Sequence, residues 1–125
     1  MKTFLPGPFR SGEVPFPAGV DVGDLVYADA SALDLPGLAR VPEAATIADE
    51  TRICLERLRQ TLADAGCTLG DLVKVNCYLT DDSDRAEFWQ TFDDVLAPGP
   101  YPVRITQVGG LAGEARVLLD AVAAR

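Results

Sequence analysis

Over residues 72–80 apolar and polar positions alternate from Val73 onward. Val73, Val75, Cys77 and Leu79 share one parity, while Lys74, Asn76, Tyr78 and Thr80 share the other. That period of two predicts a strand with one apolar face and one mixed face. Over residues 43–65 the period is helical instead. Ile47, Thr51, Cys54, Leu55, Leu58 and Leu62 form one broad stripe, and Glu50, Arg57, Arg59, Gln60 and Asp64 are expected to face water. The spacing predicts a long amphipathic helix packed by one face and stopped at Gly66. After the strand, Asp81-Asp82-Ser83-Asp84 offers several N-caps, and Asp84 with Glu87 has capping-box spacing. Phe88, Phe92 and Val95 or Leu96 then mark the buried stripe of a second helix that ends before Pro98-Gly99-Pro100. Trp89 lies beside that stripe and reads as packing ahead of ligand recognition.

The flanks are less regular. Residues 1–12, with Pro6-Gly7-Pro8, read as an irregular segment. Residues 14–16 read as a short strand, residues 21–24 as a turn, and residues 25–28 as a firmer strand. Residues 34–42, with two prolines and a glycine, read as a loop bordering a pocket. Near the end, two apolar runs each carry one charge: Arg104 within residues 102–108 and Asp120 within residues 117–123. The order of strands, helix, strand, helix, strand, strand suits two helices on one face of a mixed sheet, a two-layer α+β fold. Length supports one domain over residues 1–125. The other face of the sheet then lacks cover. Its expected mixture of Asn76, Tyr78, Arg104 and Thr106 suggests an assembly surface with a polar pocket.

A burial-grade strand tolerates a charge poorly unless a partner or ligand answers it. Arg104 and Asp120 are therefore expected at one polar spot among apolar surroundings. Two other readings stand beside that one: Asp120 facing solvent at an edge, and a purely structural ion pair. Thr106 shares the parity of Arg104, whereas Gln107 has the opposite parity and is not placed in the same pocket. Lys74 and Asn76 could line either an inner barrel or a cleft.

Composition narrows the chemistry. With 19 acidic and 11 basic residues the formal charge is −8, which disfavours nucleic acid and anionic membrane as partners. There is no histidine, so imidazole general-base catalysis and histidine-ligated zinc are excluded. Only scattered carboxylates remain for a metal, and no cofactor motif is present. Cys54, Cys67 and Cys77 lack ligand spacing and read as core residues. No secretory leader and no run of membrane-spanning length is seen, which makes the cytoplasm the default expectation.

Several segments together resemble the RidA (YjgF-like) family of enamine and imine deaminases. They are residues 22–27 (VGDLVY), the helix around residues 51–58, residues 66–81 (GCTLGDLVKVNCYLTD), Pro102-Val103-Arg104, and Leu119-Asp120-Ala121-Val122-Ala123. The resemblance implies a chorismate-mutase-like domain in a trimer, its sheets forming an inner barrel with three clefts between subunits. It also implies hydrolytic deamination of a small 2-imino or 2-enamino acid. Arg104 would clamp the substrate carboxylate, and Asp120 would stand where the family has a water-positioning glutamate. The chain departs from the pattern elsewhere. Where deaminating members write glycine-proline-tyrosine-serine-glutamine-alanine, it has Val14-Pro15-Phe16-Pro17-Ala18-Gly19. Asp29-Ala30 replaces a serine-glycine pair. Phe16, Asp29 and Ala30 are therefore the expected substrate-binding residues beside Arg104, with a substrate flank more apolar than usual. The competing expectation is a non-catalytic trimer binding a carboxylate metabolite or a partner protein.

Overall fold

The structure, a computed structural model, describes residues 1–7, 14–35 and 37–125. Its sheet grows from two helical crossovers. β3 (Leu25–Ser31) leads through α1 (Ile47–Asp64) to β6 (Leu72–Leu79), and β6 leads through α2 (Arg85–Leu96) to β7 (Val103–Val108). β8 (Val117–Ala124) runs antiparallel between β3 and β6. β1 (Thr3–Leu5) and β2 (Gly19–Asp21) extend the other side, giving the order β1-β2-β3-β8-β6-β7. Only β6 and β7 pair in parallel. The chain thus forms the expected α+β fold, a six-stranded mixed sheet with both helices on one face. β4 (Leu33–Asp34) and β5 (Ala39–Arg40) add a small ladder inside the loop expected near residues 34–42.

Each helix is fixed by local chemistry as well as by its stripe. Thr46 caps α1: its hydroxyl accepts the Asp49 N–H at 3.0 Å, and the Asp49 carboxylate accepts the Thr46 N–H at 3.3 Å. This capping box starts the helix later than the stripe alone suggested. Gly66, at φ +75°, ends it, with the Gly66 N–H on the Ala63 carbonyl and the Cys67 N–H on the Leu62 carbonyl. The stripe from Ile47 to Leu62 is buried against the sheet as predicted. In α2, Phe88, Phe92 and Leu96 are buried, but the Asp84 side chain makes no cap bond. Glu87 instead accepts the Ala48 N–H at 2.8 Å, tying α2 to the first turn of α1.

Four further expectations are corrected. Thr3–Leu5 is a strand, so residues 1–12 are not wholly irregular; residues 8–12 lie outside the described residues. Residues 14–16 form no strand, and the second strand comes later, at Gly19–Asp21. A bulge interrupts β6, because Leu72 pairs with Ala123 and Lys74 with Val122. Val73 is the extra residue and is exposed, while Leu72, Val75, Cys77 and Leu79 face the core. Finally, Glu50 and Arg57 do not face water; their roles are described below.

The sheet face away from the helices is uncovered by the described chain. Cross-strand partners share a face, so Phe4, Val20, Tyr27, Val122, Lys74 and Val103 form one row across all six strands. Of these, Phe4 is 62% exposed and Val103 63%. The next row is Asp29, Asp120, Asn76 and Ile105. Greasy and charged rows therefore lie side by side on one open surface.

Candidate functional site

Asp120 sits in the middle of that surface. Central strand β8 buries Val117, Leu119, Ala121 and Ala123 toward the helices, and alternation turns Asp120 the other way, where it is exposed. Its cross-strand partner is Asp29, also exposed. Opposed residues place their Cβ atoms about 5 Å apart, so two carboxylates border one spot. Beside them opens a cleft of about 180 Å³, into which Phe16, Asp29, Ser31 and Leu118 project together with the loops around Leu38 and residues 111–115. Gly113 lets those loops meet: it has φ +55°, and a Cβ there would run into the side chain and carbonyl of Leu38. The Glu114 N–H then donates to the Leu38 carbonyl at 3.0 Å. Phe16 and Asp29, both expected at the site, thus share one cleft. Ala30 turns its methyl into the core, at 4% exposure.

Arg104 lies elsewhere. On edge strand β7 it pairs with Val75, whose side chain is buried under the helices, so Arg104 and Thr106 face the helix layer. The expected place for these two on the open face is corrected accordingly, and Gln107 does take the opposite, exposed parity. The Arg104 guanidinium packs 5.3 Å from the Trp89 ring centroid and 5.1 Å from that of Phe92. One of its nitrogens donates to Asp93 at 2.8 Å. Trp89 donates its indole N–H to the Thr106 hydroxyl at 2.9 Å, which fixes the ring. Trp89 is therefore packing, as expected, but packing that holds an arginine. A groove beside it is lined by Phe92, Asp93, Tyr101, Pro102 and Arg104.

Within one chain, then, Arg104 and Asp120 do not converge, because they project from opposite sides of the sheet. The intrachain answer to the arginine is Asp93, at helical spacing from Trp89 in α2. Nothing in the pattern of β7 pointed to it.

Two further charged residues support the cleft from behind. Glu50 is fully buried, and its carboxylate accepts the Arg116 N–H at 2.8 Å, the Val117 N–H at 3.1 Å and the Arg116 Nε–H at 2.7 Å. Arg116 also donates to the Ala44 and Ala45 carbonyls. This pair joins α1 to the start of β8, two residues before Leu118. Arg57 donates to the Ser31 and Leu33 carbonyls at 2.9 and 2.8 Å, holding the bend where β3 passes into β4 along the cleft wall. Both residues sit on the polar side of a helical wheel, where periodicity assigns solvent.

Cysteine contributes no nucleophile to this surface. Cys54, Cys67 and Cys77 are all buried. Burial pushes the Cys54 thiol well above its usual range, and pushes Cys77 up to about 12 against the opposing pull of Arg104. Native protein at pH 8 is therefore expected to take up almost no maleimide at these two positions, with labelling appearing only on unfolding; prompt labelling would contradict the packing. Among the described residues, no group of three or more His, Cys, Asp or Glu could hold a metal ion. No helix among them is long and apolar enough to cross a membrane.

The family model described as Endoribonuclease L-PSP, which covers the RidA (YjgF-like) proteins, matches residues 11–125. The chain belongs to this family. Among its relatives is the mitochondrial protein mmf2 of Schizosaccharomyces pombe, 36% identical over 96 residues that cover 77% of this chain and 73% of that protein. Another is the 2-iminobutanoate/2-iminopropanoate deaminase of Escherichia coli K12, 25% identical over 114 residues, 89% of this chain and 88% of the relative. The crystal structure of E. coli TdcF with bound serine superposes with a TM-score of 0.82 at 24% identity, covering 100% of this chain and 98% of that one. That likeness extends the RidA fold over the whole sheet and both helices.

Proposed function

We propose that this protein deaminates a small 2-imino or 2-enamino carboxylic acid, in sites assembled between copies of the chain. The observation that carries the proposal is the placement of its two key charges. Asp120 stands on an open sheet face directly across from Asp29, which lines an apolar cleft, and Arg104 stands on the outermost strand, where a neighbouring copy can present it. The exposed apolar row that includes Tyr27 and Val103, together with Ile105 in the row beside it, gives that face a reason to be covered. A homotrimer with three intersubunit clefts accounts for both features, and the activity named for the E. coli relative supports the reaction class.

In this reading Arg104 grips the substrate carboxylate through two parallel N–H donors, which sets direction as well as charge. Asp120 of the adjoining copy accepts a proton from water and aims its oxygen at C2. The C=N bond opens as the C–O bond forms, the nitrogen takes up protons, and ammonia leaves a 2-oxo acid. Phe16 and Asp29 line the substrate flank. No cofactor or metal enters any step. The formal charge of −8 opposes a nucleic-acid substrate, so RNA cleavage is not proposed.

Mixing tests the assembly and the chemistry at once. Arg104→Ala and Asp120→Ala are each expected to lose ammonia release from freshly generated 2-iminobutanoate. After unfolding and refolding together in equal amounts, about a quarter of the sites regain both residues, and activity returns to about a quarter of wild type. Continued inactivity of the mixture, with each variant properly assembled, rules out a site shared between copies. Saturable binding of the imino acid by wild-type protein without turnover favours the non-catalytic module instead.

A further inference from the structure

The cleft lined by Asp29 and Leu118 opens next to Asp120 on the same face of the sheet. Its mouth is fixed by register: Asp29 lies directly across from Asp120, and Leu118 is two residues before Asp120 on the same face, about 7 Å along the strand. Behind the mouth the wall is apolar. Phe16, Leu35, Leu38, Leu111 and Leu118 surround the space, and Ala112 lies on its rim. At about 180 Å³ it has room for on the order of six water-sized groups, far more than a methyl or ethyl side chain requires.

We propose that this protein prefers 2-imino acids with a bulky apolar side chain, branched aliphatic or aromatic, over the small iminopropanoate and iminobutanoate substrates. The proposal rests on the deaminase reading above and adds the substrate class. With the carboxylate held by Arg104 and C2 placed over Asp120, the C3 substituent is the part of the substrate free to enter the leucine-lined space. A methyl group leaves most of that space to water. An isobutyl or benzyl group fills it and removes apolar surface from water on both sides. Each buried methylene is worth about fourfold in binding, so three added carbons bring roughly fiftyfold in kcat/KM. Because this contact is the same in ground and transition states, the gain falls mainly on KM.

The test compares 2-iminopropanoate, 2-imino-4-methylpentanoate and 2-imino-3-phenylpropanoate, each generated in situ from the amino acid by an amino-acid oxidase, with the wild-type protein. The expected result is a kcat/KM at least about tenfold higher for the two larger imines, carried by KM. Ala112→Phe, an exposed rim position whose new ring reaches into the cleft, is expected to bring that ratio close to one. An active protein with a flat or inverted ratio overturns the preference and leaves the deaminase reading standing. A wild-type preference that Ala112→Phe leaves unchanged in a folded protein overturns the assignment to this cleft. Absence of turnover on all three imines removes the deaminase reading and this inference together.

Discussion

Arg104→Ala is expected to lower kcat/KM for a 2-imino acid by at least about a hundredfold while the protein keeps its fold and assembly. The size of the loss comes from orientation as well as charge. A guanidinium held between Trp89 and Phe92 and tethered to Asp93 presents its remaining donors in one direction, so under the proposed reading a carboxylate gripped there would not swivel. Without it, C2 is no longer fixed beneath the attacking water, and a displacement of about an ångström is enough for a loss of this order. Arg104→Lys should recover only part of the rate, because an ammonium lacks the planar fork and stacks less well on the rings. The fold should tolerate either change. Asp93 is half exposed, and stacking at such a site contributes about 1 kcal/mol. Steady-state ammonia release with size-exclusion chromatography on the same samples decides the matter, and a rate within a few-fold of wild type would remove Arg104 from the chemistry.

The largest effect on stability is expected at Glu50. Glu50→Ala should lower the unfolding free energy by about 3–5 kcal/mol in urea titration. The substitution leaves the Arg116 and Val117 N–H groups and the Arg116 Nε–H without their acceptor, in a place where the wild-type carboxylate is fully buried. Glu56→Ala provides the contrast. Glu56 also meets an arginine, at 2.5 Å from Arg59, and that hydrogen bond holds its carboxyl down to about 2. Both partners are about half exposed, so solvent screens the pair and the change should fall below about 0.5 kcal/mol. A Glu50→Ala protein as stable as Glu56→Ala would show that the buried carboxylate is not what joins α1 to β8.

The α+β architecture was legible because both helices and β6 follow clean periods, and the resemblance supplied the family. What escaped was the meaning of exceptions to those periods. Glu50 and Arg57 occupy wheel positions that periodicity assigns to water, yet β8 and the end of β3 come down onto them with backbone groups to satisfy. The bulge at Val73 shifts the phase of β6 for one residue, a change that no run of alternating side chains records. Arg104 was placed on the wrong face because β7 is an edge strand, where Val103 and Ile105 stay exposed and hydrophobicity does not report which side is inside. Its neighbour in space, Asp93, comes from another element altogether. Phe16 and Asp29 stand out as departures from the family's pattern of residues, and Asp120 as a charge in an apolar run. The cleft that Phe16 and Asp29 line depends on Leu38 and Gly113 meeting, a contact between loops that carries no periodic signal.

The position of β8 in the ladder has a consequence for how the protein is made. It follows every other strand in chain order, yet it occupies the interior of the sheet, with β3 on one side and β6 on the other. Until those eight residues emerge from the ribosome, two half-sheets expose unzipped inner edges with nothing to join them. Closure must wait for pairings about ninety positions apart, between β3 and β8, and such distant partnerships slow a chain's search. In that interval the unpaired inner edges are open to pairing with other chains.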